Sequence, residues 1–422
     1  MARYKARLVA QGFNHVPGRD FDETWAPVPS TEKTRALFAV AGAKDWGAHH
    51  VDVKTAVLNA KMDEEMNINL PDGTGLGEAH EVFHLNLAIY RTKQAGRLWD
   101  IKLDKELKAM GAGRSKVDPC LYTWSHPVHK LLYILVYVDD LIVAGKSLDG
   151  VQAVKKSVSA TYDVRDMGEV KEFISMNVMR DRAAKMPTLS NLGHVIAILE
   201  AFGMSNPTRN KTPMVSGAKL AKTRQNLLPD ANRYAELVGS QLYLSSMTRP
   251  DIAFAGGVLS RYIACPEEDH MRAAKGVLRY FRGATRLGVG YDTHKPFQGY
   301  VDDDWEGNVD TRRSTTGFIF PLNGGPVFLT SKRQSTVATS TAEAENAAAT
   351  MATKQALRLR KLSSALGVDG GAVPMGEDNQ ACLALVNNPK ATGRSKHVDV
   401  AYRTVRNNVA RVDVIFYLPA ER

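Results

Sequence analysis

Two continuous aliphatic runs, Leu131–Val136 and Leu141–Ala144, flank the acidic segment Tyr137-Val138-Asp139-Asp140. Both runs are β-prone and short, so the pattern predicts two strands meeting at an acidic turn. Upstream, Lys5–Phe13 alternates apolar residues with Lys5 and Arg7 and reads as a basic strand. Pro27, Pro29, Ser30 and Thr31 form a loop leading into a helix at about Glu32–Ala43, with Ser30 or Thr31 as its cap. Val51–Val53 reads as a short strand, and Asp72-Gly73 with Gly75 and Gly77 marks a loop. Helical spacing returns at Arg97–Met110 and near Val151–Tyr162. From about residue 176 to 290 the pattern becomes helical, with amphipathic stretches at His194–Phe202, Ala231–Met247 and His270–Phe281. Beyond Pro296 it predicts a strand at Gly299–Val301, a hairpin over Ser314–Ser331, an Ala-rich helix from about Ser340 to Leu366 and a strand-to-helix unit at Val373–Asn387. Strands first and helices later give an α+β class with a mixed sheet. No period of 20–50 residues signals a repeat architecture.

Composition narrows this picture. The 422 residues suffice for two or three domains, and 44% hydrophobic with 24% charged residues gives enough apolar material for substantial cores. Lys and Arg outnumber Asp and Glu by 55 to 45, and the net charge of +10 favours a polyanionic partner. Cys120, Cys265 and Cys382 are dispersed and odd in number, which excludes a Cys-rich zinc module and favours a reducing compartment. No apolar stretch reaches the roughly 18–20 residues that span a bilayer, and Met1–Ala10 lacks a signal-peptide core. The expectation is an intracellular protein with no membrane partner.

The candidate chemistry is acidic. Two adjacent carboxylates repel each other unless a cation neutralises them, so Asp139 and Asp140 point to a divalent metal site, with a solvated turn as the alternative. If the strand bearing Asp52 lies beside the hairpin, Asp52 joins them. Two Mg²⁺ ions roughly 3.5–4 Å apart are a standard device for phosphoryl transfer. A second set lies downstream: Asp302 at a strand end, Glu345 on the Ala-rich helix and Asp378 at a strand-to-helix boundary. Asp303 and Glu343 read as solvated surface positions. Lys275, Arg279 and Arg282, at helical spacing, fit either a phosphate-contacting stripe or a solvated face.

The motifs carry a resemblance. Asp52-Val53-Lys54-Thr55-Ala56, Lys93-Gln94-Ala95 and Tyr137-Val138-Asp139-Asp140 stand in the order of a reverse transcriptase. Tyr4-Lys5-Ala6-Arg7-Leu8-Val9-Ala10, Glu23-Thr24-Trp25-Ala26-Pro27-Val28 and Thr248-Arg249-Pro250-Asp251-Ile252-Ala253 resemble the copia-type retrotransposon polyprotein, and the resemblance covers nearly the whole chain. It implies that Asp52 and Asp139 hold the catalytic metals with Asp140 as a supporting carboxylate. Lys5 and Arg7 would contact nucleotide or template from the fingers, and Gln94 would sit at the nucleotide pocket. Val57 stands where the family has an aromatic gate against the ribose 2′-hydroxyl, so the smaller side chain leaves room for a ribonucleotide. Ala95-Gly96-Arg97 replaces the family's Ala-Pro-Arg, removing a rigid backbone restraint. Phe173-Ile174-Ser175 replaces the Phe-Leu-Gly turn of the primer grip, where a need for positive φ would strain Ser175.

Arg312-Arg313-Ser314-Thr315-Thr316-Gly317, Ser331-Lys332-Arg333-Gln334 and Lys396-His397-Val398-Asp399 extend the resemblance to a ribonuclease H. There it implies Asp302, Glu345 and Asp378 as the metal-binding core, with Asn346 where the family has Tyr. The family's fourth carboxylate lies in a Leu-Ala-Asp segment after Tyr417-Leu418-Pro419, and Asp399 is not expected to replace it. Family members also carry further fingers strands before the point matching Met1, so the chain is expected to be a fragment or a decayed copy. The implied organisation is a palm-and-fingers polymerase domain over residues 1–175, a helical thumb-connection over 176–295 and a ribonuclease H-like mixed α/β domain over 296–422. The implied activity is RNA-directed DNA polymerisation with hydrolysis of RNA in RNA–DNA hybrids. It would use two Mg²⁺ per active site (Mn²⁺ possible), an RNA template, a DNA primer and deoxynucleoside triphosphates, in a cytoplasmic virus-like particle or the nucleus. Two other readings compete: a non-catalytic, nucleic-acid-binding remnant of such a polyprotein, and a nuclease without polymerase activity.

Overall fold

The computed structural model describes residues 7–69, 81–183, 186–206, 208–215, 217–292, 295–368, 371–387 and 396–420. It falls into two compact units, Met1–Ser30 with Trp46–Val170, and Thr31–Asp45 with Lys171–Arg422. Helix α1 (Thr31–Ala43) belongs to the second unit although its sequence interrupts the first.

The first unit is built on a six-stranded antiparallel sheet. Its elements are β1 (Gly47–Val53), a small ribbon of β2 (Asn67–Asn69) and β3 (Val82–His84), α2 (Ala95–Ala109), β4 (Ala112–Arg114), β5 (Leu121–His126), β6 (Lys130–Tyr137), β7 (Asp140–Gly145), α3 (Leu148–Thr161) and β8 (Val164–Glu169). The sheet order is β4-β5-β6-β7-β1-β8. The aliphatic runs of β6 and β7 lie centrally and are buried almost without interruption, as strands covered on both faces must be. Helices α2 and α3 set Trp99, Leu103, Leu107, Val151, Val154 and Val158 against Val51, Val53, Ile134 and Leu141 to form the core. The Ser147 hydroxyl caps α3 by accepting the Gly150 N–H. The predicted basic strand does not form within the described residues. Arg7–Gln11 is irregular and Gly12–Asn14 is a 3₁₀ turn, because Ala10 gives its N–H to the Tyr90 carbonyl of a loop. Lys5 and the loop at Asp72-Gly73 lie outside the described residues.

After α1 the second unit resumes with β9 (Glu172–Phe173), β10 (Met176–Asp181) and β11 (Met186–Ser190), continues through α4 (Leu192–Ala201), α5 (Ala231–Met247), α6 (Ala253–Leu259) and α7 (Glu268–Gly283), and returns to the same sheet with β12 (Val289–Gly290). The four strands run in the order β12-β11-β10-β9. They correct the expectation of a purely helical stretch from residue 176. Leu199, Tyr234, Leu237, Val238, Leu259, Val277 and Phe281 form the core of the helices. The turn from β9 to β10 does require positive φ, at 48° for Ile174 and 60° for Ser175. Ser175→Gly is therefore expected to stabilise the chain by about 1 kcal/mol in urea unfolding. An unchanged midpoint would show that the turn carries no such strain.

A five-stranded mixed sheet completes the second unit. It contains β13 (Gly299–Asp304), β14 (Thr315–Leu322), β15 (Gly325–Arg333), α8 (Thr341–Ala365), β16 (Val373–Gly376), α9 (Gln380–Asn387), α10 (Lys396–Ala410) and β17 (Val414–Tyr417). The order is β15-β14-β13-β16-β17, with β13, β14 and β15 antiparallel and β13, β16 and β17 parallel. This is a mixed sheet, as expected for the region, and the fold class is α+β. Ala344, Ala348, Ala352 and Ala356 are fully buried, which lets α8 sit close to the sheet. Among the described residues no helix is long and apolar enough to cross a membrane.

Candidate active sites

In the first unit the hairpin from β6 to β7 turns on Val138 and Asp139, with Tyr137 opposite Asp140. Val138 has a φ of 54°, a conformation that costs a β-branched residue about 1–3 kcal/mol. The tip is held from two sides. Trp99 Nε1 donates to the Val138 carbonyl at 2.8 Å, and Val53 N–H donates to the Asp139 carbonyl at 2.8 Å. Trp99 is itself fixed edge-on against Tyr162, with ring centroids 5.2 Å apart.

Asp52 lies directly opposite Asp140 in the β1–β7 ladder, so Asp52, Asp139 and Asp140 stand at one end of the sheet. Asp140 has a partner that the sequence did not announce: His50 Nε2 lies 2.6 Å from its Oδ1. His50 precedes Asp52 by two positions on the same strand, hence on the same face. Tyr90 locates the surroundings. Burial, Asp139 and Asp52 raise its phenol above the ordinary value, while Arg7 acts in the opposite sense. The Arg7 guanidinium carbon lies 5.2 Å from the Tyr90 ring centroid, which places a cation over this ring.

Two residues expected at a nucleotide pocket are turned inward instead. Val57 is buried in an apolar cluster with Ala60, Ala88, Ala95 and Leu98. Gln94 is buried and donates from Nε2 to the Asp20 carbonyl at 3.4 Å. Both side chains are buried, Val57 against Ala95 and Leu98 of the first turn of α2 and Gln94 toward the loop bearing Asp20.

In the second unit, Asp302 on β13, Glu345 on α8 and Asp378 just after β16 each place a carboxylate oxygen within 4.8 Å of the other two. Glu345 is buried and the aspartates are exposed, so the cluster opens to solvent on one side. Burial raises the Glu345 carboxyl to about 9, reinforced by Glu377, Asp302, Asp303 and Asp378. Among the described residues its buried Oε2 has no hydrogen-bond partner. Asp302 is likewise raised, by burial and then by Asp378 and Asp304. Such a set is costly when ionised and is relieved by a divalent cation, so the donor chemistry fits Mg²⁺ or Mn²⁺.

Asp303 is not the solvated turn residue expected from sequence. It is half-buried, accepts from Gln334 Nε2 at 2.8 Å, and burial raises its carboxyl to about 7. Glu343 is not a free surface residue either. Its Oε2 accepts the Thr339 N–H at 2.8 Å and the Thr339 hydroxyl at 2.6 Å, closing the start of α8. Glu377, fully buried beside Asp378, is a carboxylate to which sequence reasoning gave no role. Asp399 falls in α10, with its side chain outside those described.

The raised Glu345 sets a pH dependence. Between its ordinary value of 4.5 and about 9, the folded state holds a proton that the unfolded state releases. Stability from this group is therefore complete below the unfolded value and is lost as pH rises through the folded one. Thermal melts in chelator should show falling stability across this window, and saturating Mg²⁺ should flatten the decline. A chelator curve that rises with pH would contradict the buried placement of Glu345.

The family described as reverse transcriptase (RNA-dependent DNA polymerase) matches residues 1–216. The chain is 34% identical over 417 residues to the retrovirus-related Pol polyprotein from transposon TNT 1-94 of Nicotiana tabacum, covering 97% of this chain and 31% of that protein. It is 30% identical over 289 residues to a transposon Ty5-1 protein of Saccharomyces cerevisiae, covering 67% of this chain and 92% of that one. The chain thus spans about a third of the length of the plant polyprotein. A solved foamy viral protease-reverse transcriptase in complex with double-stranded DNA shares the fold, with a TM-score of 0.50 at 10% identity over 89% of this chain and 57% of that one.

Proposed function

This chain belongs to the reverse transcriptase (RNA-dependent DNA polymerase) family, and from that premise we propose that it copies an RNA template into DNA and hydrolyses the RNA strand of the resulting hybrid. The observation that carries the reading is the placement of Asp52 across the ladder from Asp140, beside the Asp139 turn, inside the family-matched segment. The Asp302–Glu345–Asp378 cluster supports the second activity. Residues 1–175 would form fingers and palm, 176–295 thumb and connection, and 296–422 the ribonuclease H-like part.

In the palm, Asp52 and Asp139 would hold divalent ions, and Asp140, anchored by His50, would keep the rim of the site negative and fixed. In the nuclease centre Asp302, Glu345 and Asp378 would do the same. When bound, Mg²⁺ supplies charge neutralisation at the phosphate and lowers the cost of forming an attacking oxyanion. The protein's own share is positioning. The strained Val138 turn, locked by Trp99 and Val53, holds Asp139 at the sheet end, where a primer 3′-hydroxyl would attack the α-phosphate of a deoxynucleotide and expel pyrophosphate. Arg7, over Tyr90, offers positive charge toward triphosphate or template phosphate. Val57 and Gln94 shape the wall from behind, so sugar selectivity rests on the backbone they support. Lys5 would add to the same positive edge. In the second centre, a water would attack the RNA phosphodiester beside the three carboxylates.

The reading is tested by extension of an oligo(dT) primer on poly(rA) with dTTP. Incorporation in Mg²⁺ or Mn²⁺ is expected. Its absence in both would favour a nucleic-acid-binding remnant and overturn the polymerase assignment.

A further inference from the structure

Gln334 directly follows β15, and its N–H donates to the Ser314 carbonyl at 2.8 Å, so its backbone is fixed at the start of β14. The side chain is buried and reaches three elements of the mixed sheet. Nε2 donates to Oδ1 of Asp303 on β13 at 2.8 Å, and lies 3.0 Å from both the Thr316 hydroxyl on β14 and the Ala344 carbonyl on α8. A backbone carbonyl only accepts, so the amide must present its NH₂ group here and its orientation is decided. The anchors border the carboxylate set. Asp303 follows Asp302 on β13, and Ala344 precedes Glu345 on α8. Asp303 and Thr316 are also partners in the β13–β14 ladder. One buried amide therefore bridges the strand that carries Asp302 and the helix that carries Glu345. The oxygens of Asp302, Glu345 and Asp378 come within 4.8 Å of one another, a spacing that depends on how the start of α8 sits against β13.

We propose that Gln334 is a positioning residue of this centre: by bonding Asp303 and Ala344 at once, it fixes the helix bearing Glu345 against the strand bearing Asp302 and so sets the carboxylate spacing. The inference rests on reading the Asp302–Glu345–Asp378 cluster as a metal-dependent nuclease centre. In this role Gln334 touches neither substrate nor ion. It acts through the residues next to the ligands, as groups behind a metal site do. A misplacement of about 1 Å can cost on the order of 10²-fold in rate, so loss of this bridge is felt in the chemistry. An apolar replacement also leaves the Asp303 carboxylate and the Ala344 carbonyl without this donor.

The test is Gln334→Met in the full chain, which keeps the length of the side chain and has no donor, with Asp302→Asn as the control. Single-turnover cleavage of a labelled RNA–DNA hybrid should slow by about 10–100-fold, while the hybrid concentration giving half-maximal rate stays unchanged. Calorimetric titration with Mn²⁺ should show about tenfold weaker binding of the ion that Asp302→Asn loses. A lower melting temperature with cleavage and Mn²⁺ affinity both as in the parent would show a packing role and overturn the proposal. So would a change confined to the half-maximal hybrid concentration, which marks a binding surface. If Asp302→Asn itself alters neither cleavage nor Mn²⁺ uptake, the metal centre fails, and the inference with it. Should Gln334→Met not fold, Gln334→Asn keeps the NH₂ group with shorter reach and should slow cleavage about tenfold, and unaltered cleavage would refute the proposal.

Discussion

Asp139→Asn is expected to reduce primer extension by on the order of 10³-fold or more, with the fold and hybrid cleavage preserved. The expectation follows from what the hairpin spends to present this residue. A β-branched Val138 is held in the left-handed region, an indole N–H is committed to its carbonyl, and the Asp139 carbonyl is tied to Val53. That apparatus orients one carboxylate. Asparagine keeps its size and loses the charge that would hold a divalent ion, so the loss belongs to the chemical step rather than to packing. Asp140→Asn should cost less, because Asp140 is already engaged by His50 and acts on the site from one position away. Equal losses in the two variants, measured as single-turnover rates, would show that the hairpin does not distinguish them.

Glu345→Gln is expected to abolish cleavage of the RNA strand of a labelled hybrid, again by on the order of 10³-fold, while extension continues. Glu345 is the buried member of the three-carboxylate set, with an oxygen that has no donor among the described residues, so its burial serves no visible hydrogen bond there. The same substitution should raise the melting temperature in chelator, since it removes a carboxylate that burial and four acidic neighbours oppose. Loss of activity with gain of metal-free stability is the mark of a residue kept for chemistry. A variant that lost both would indicate a packing role instead.

The sequence made much of this legible where one local pattern decided the outcome. The amphipathic period over Ala231–Met247 predicts α5 to the residue, and the aliphatic runs around Asp139 predict the central hairpin. The family resemblance also pointed to the Asp302, Glu345 and Asp378 set that the fold brings together. What escaped depends on distant partners. Strands β10 and β11 are short and mixed in polarity, and only their pairing with each other and with β12 makes them strands. His50 looks like one histidine among several until antiparallel register sets β1 beside β7. Glu377 reads as part of a polar turn, yet β17 and α9, packed around it, bury it completely. Val57 misleads in the opposite direction: alignment with a gate position puts it in a pocket, while its neighbours Ala60, Ala88 and Leu98 take it into a core.

The central claim is that one chain carries two separate carboxylate centres for phosphoryl transfer. It is tested most directly by a single reaction on a primed RNA template labelled on both strands, run with the unaltered chain, Asp139→Asn and Glu345→Gln. The account predicts DNA extension and RNA cleavage by the unaltered chain, loss of extension alone in Asp139→Asn, and loss of cleavage alone in Glu345→Gln. Loss of both activities together in either variant, or neither activity in the unaltered chain, would contradict it.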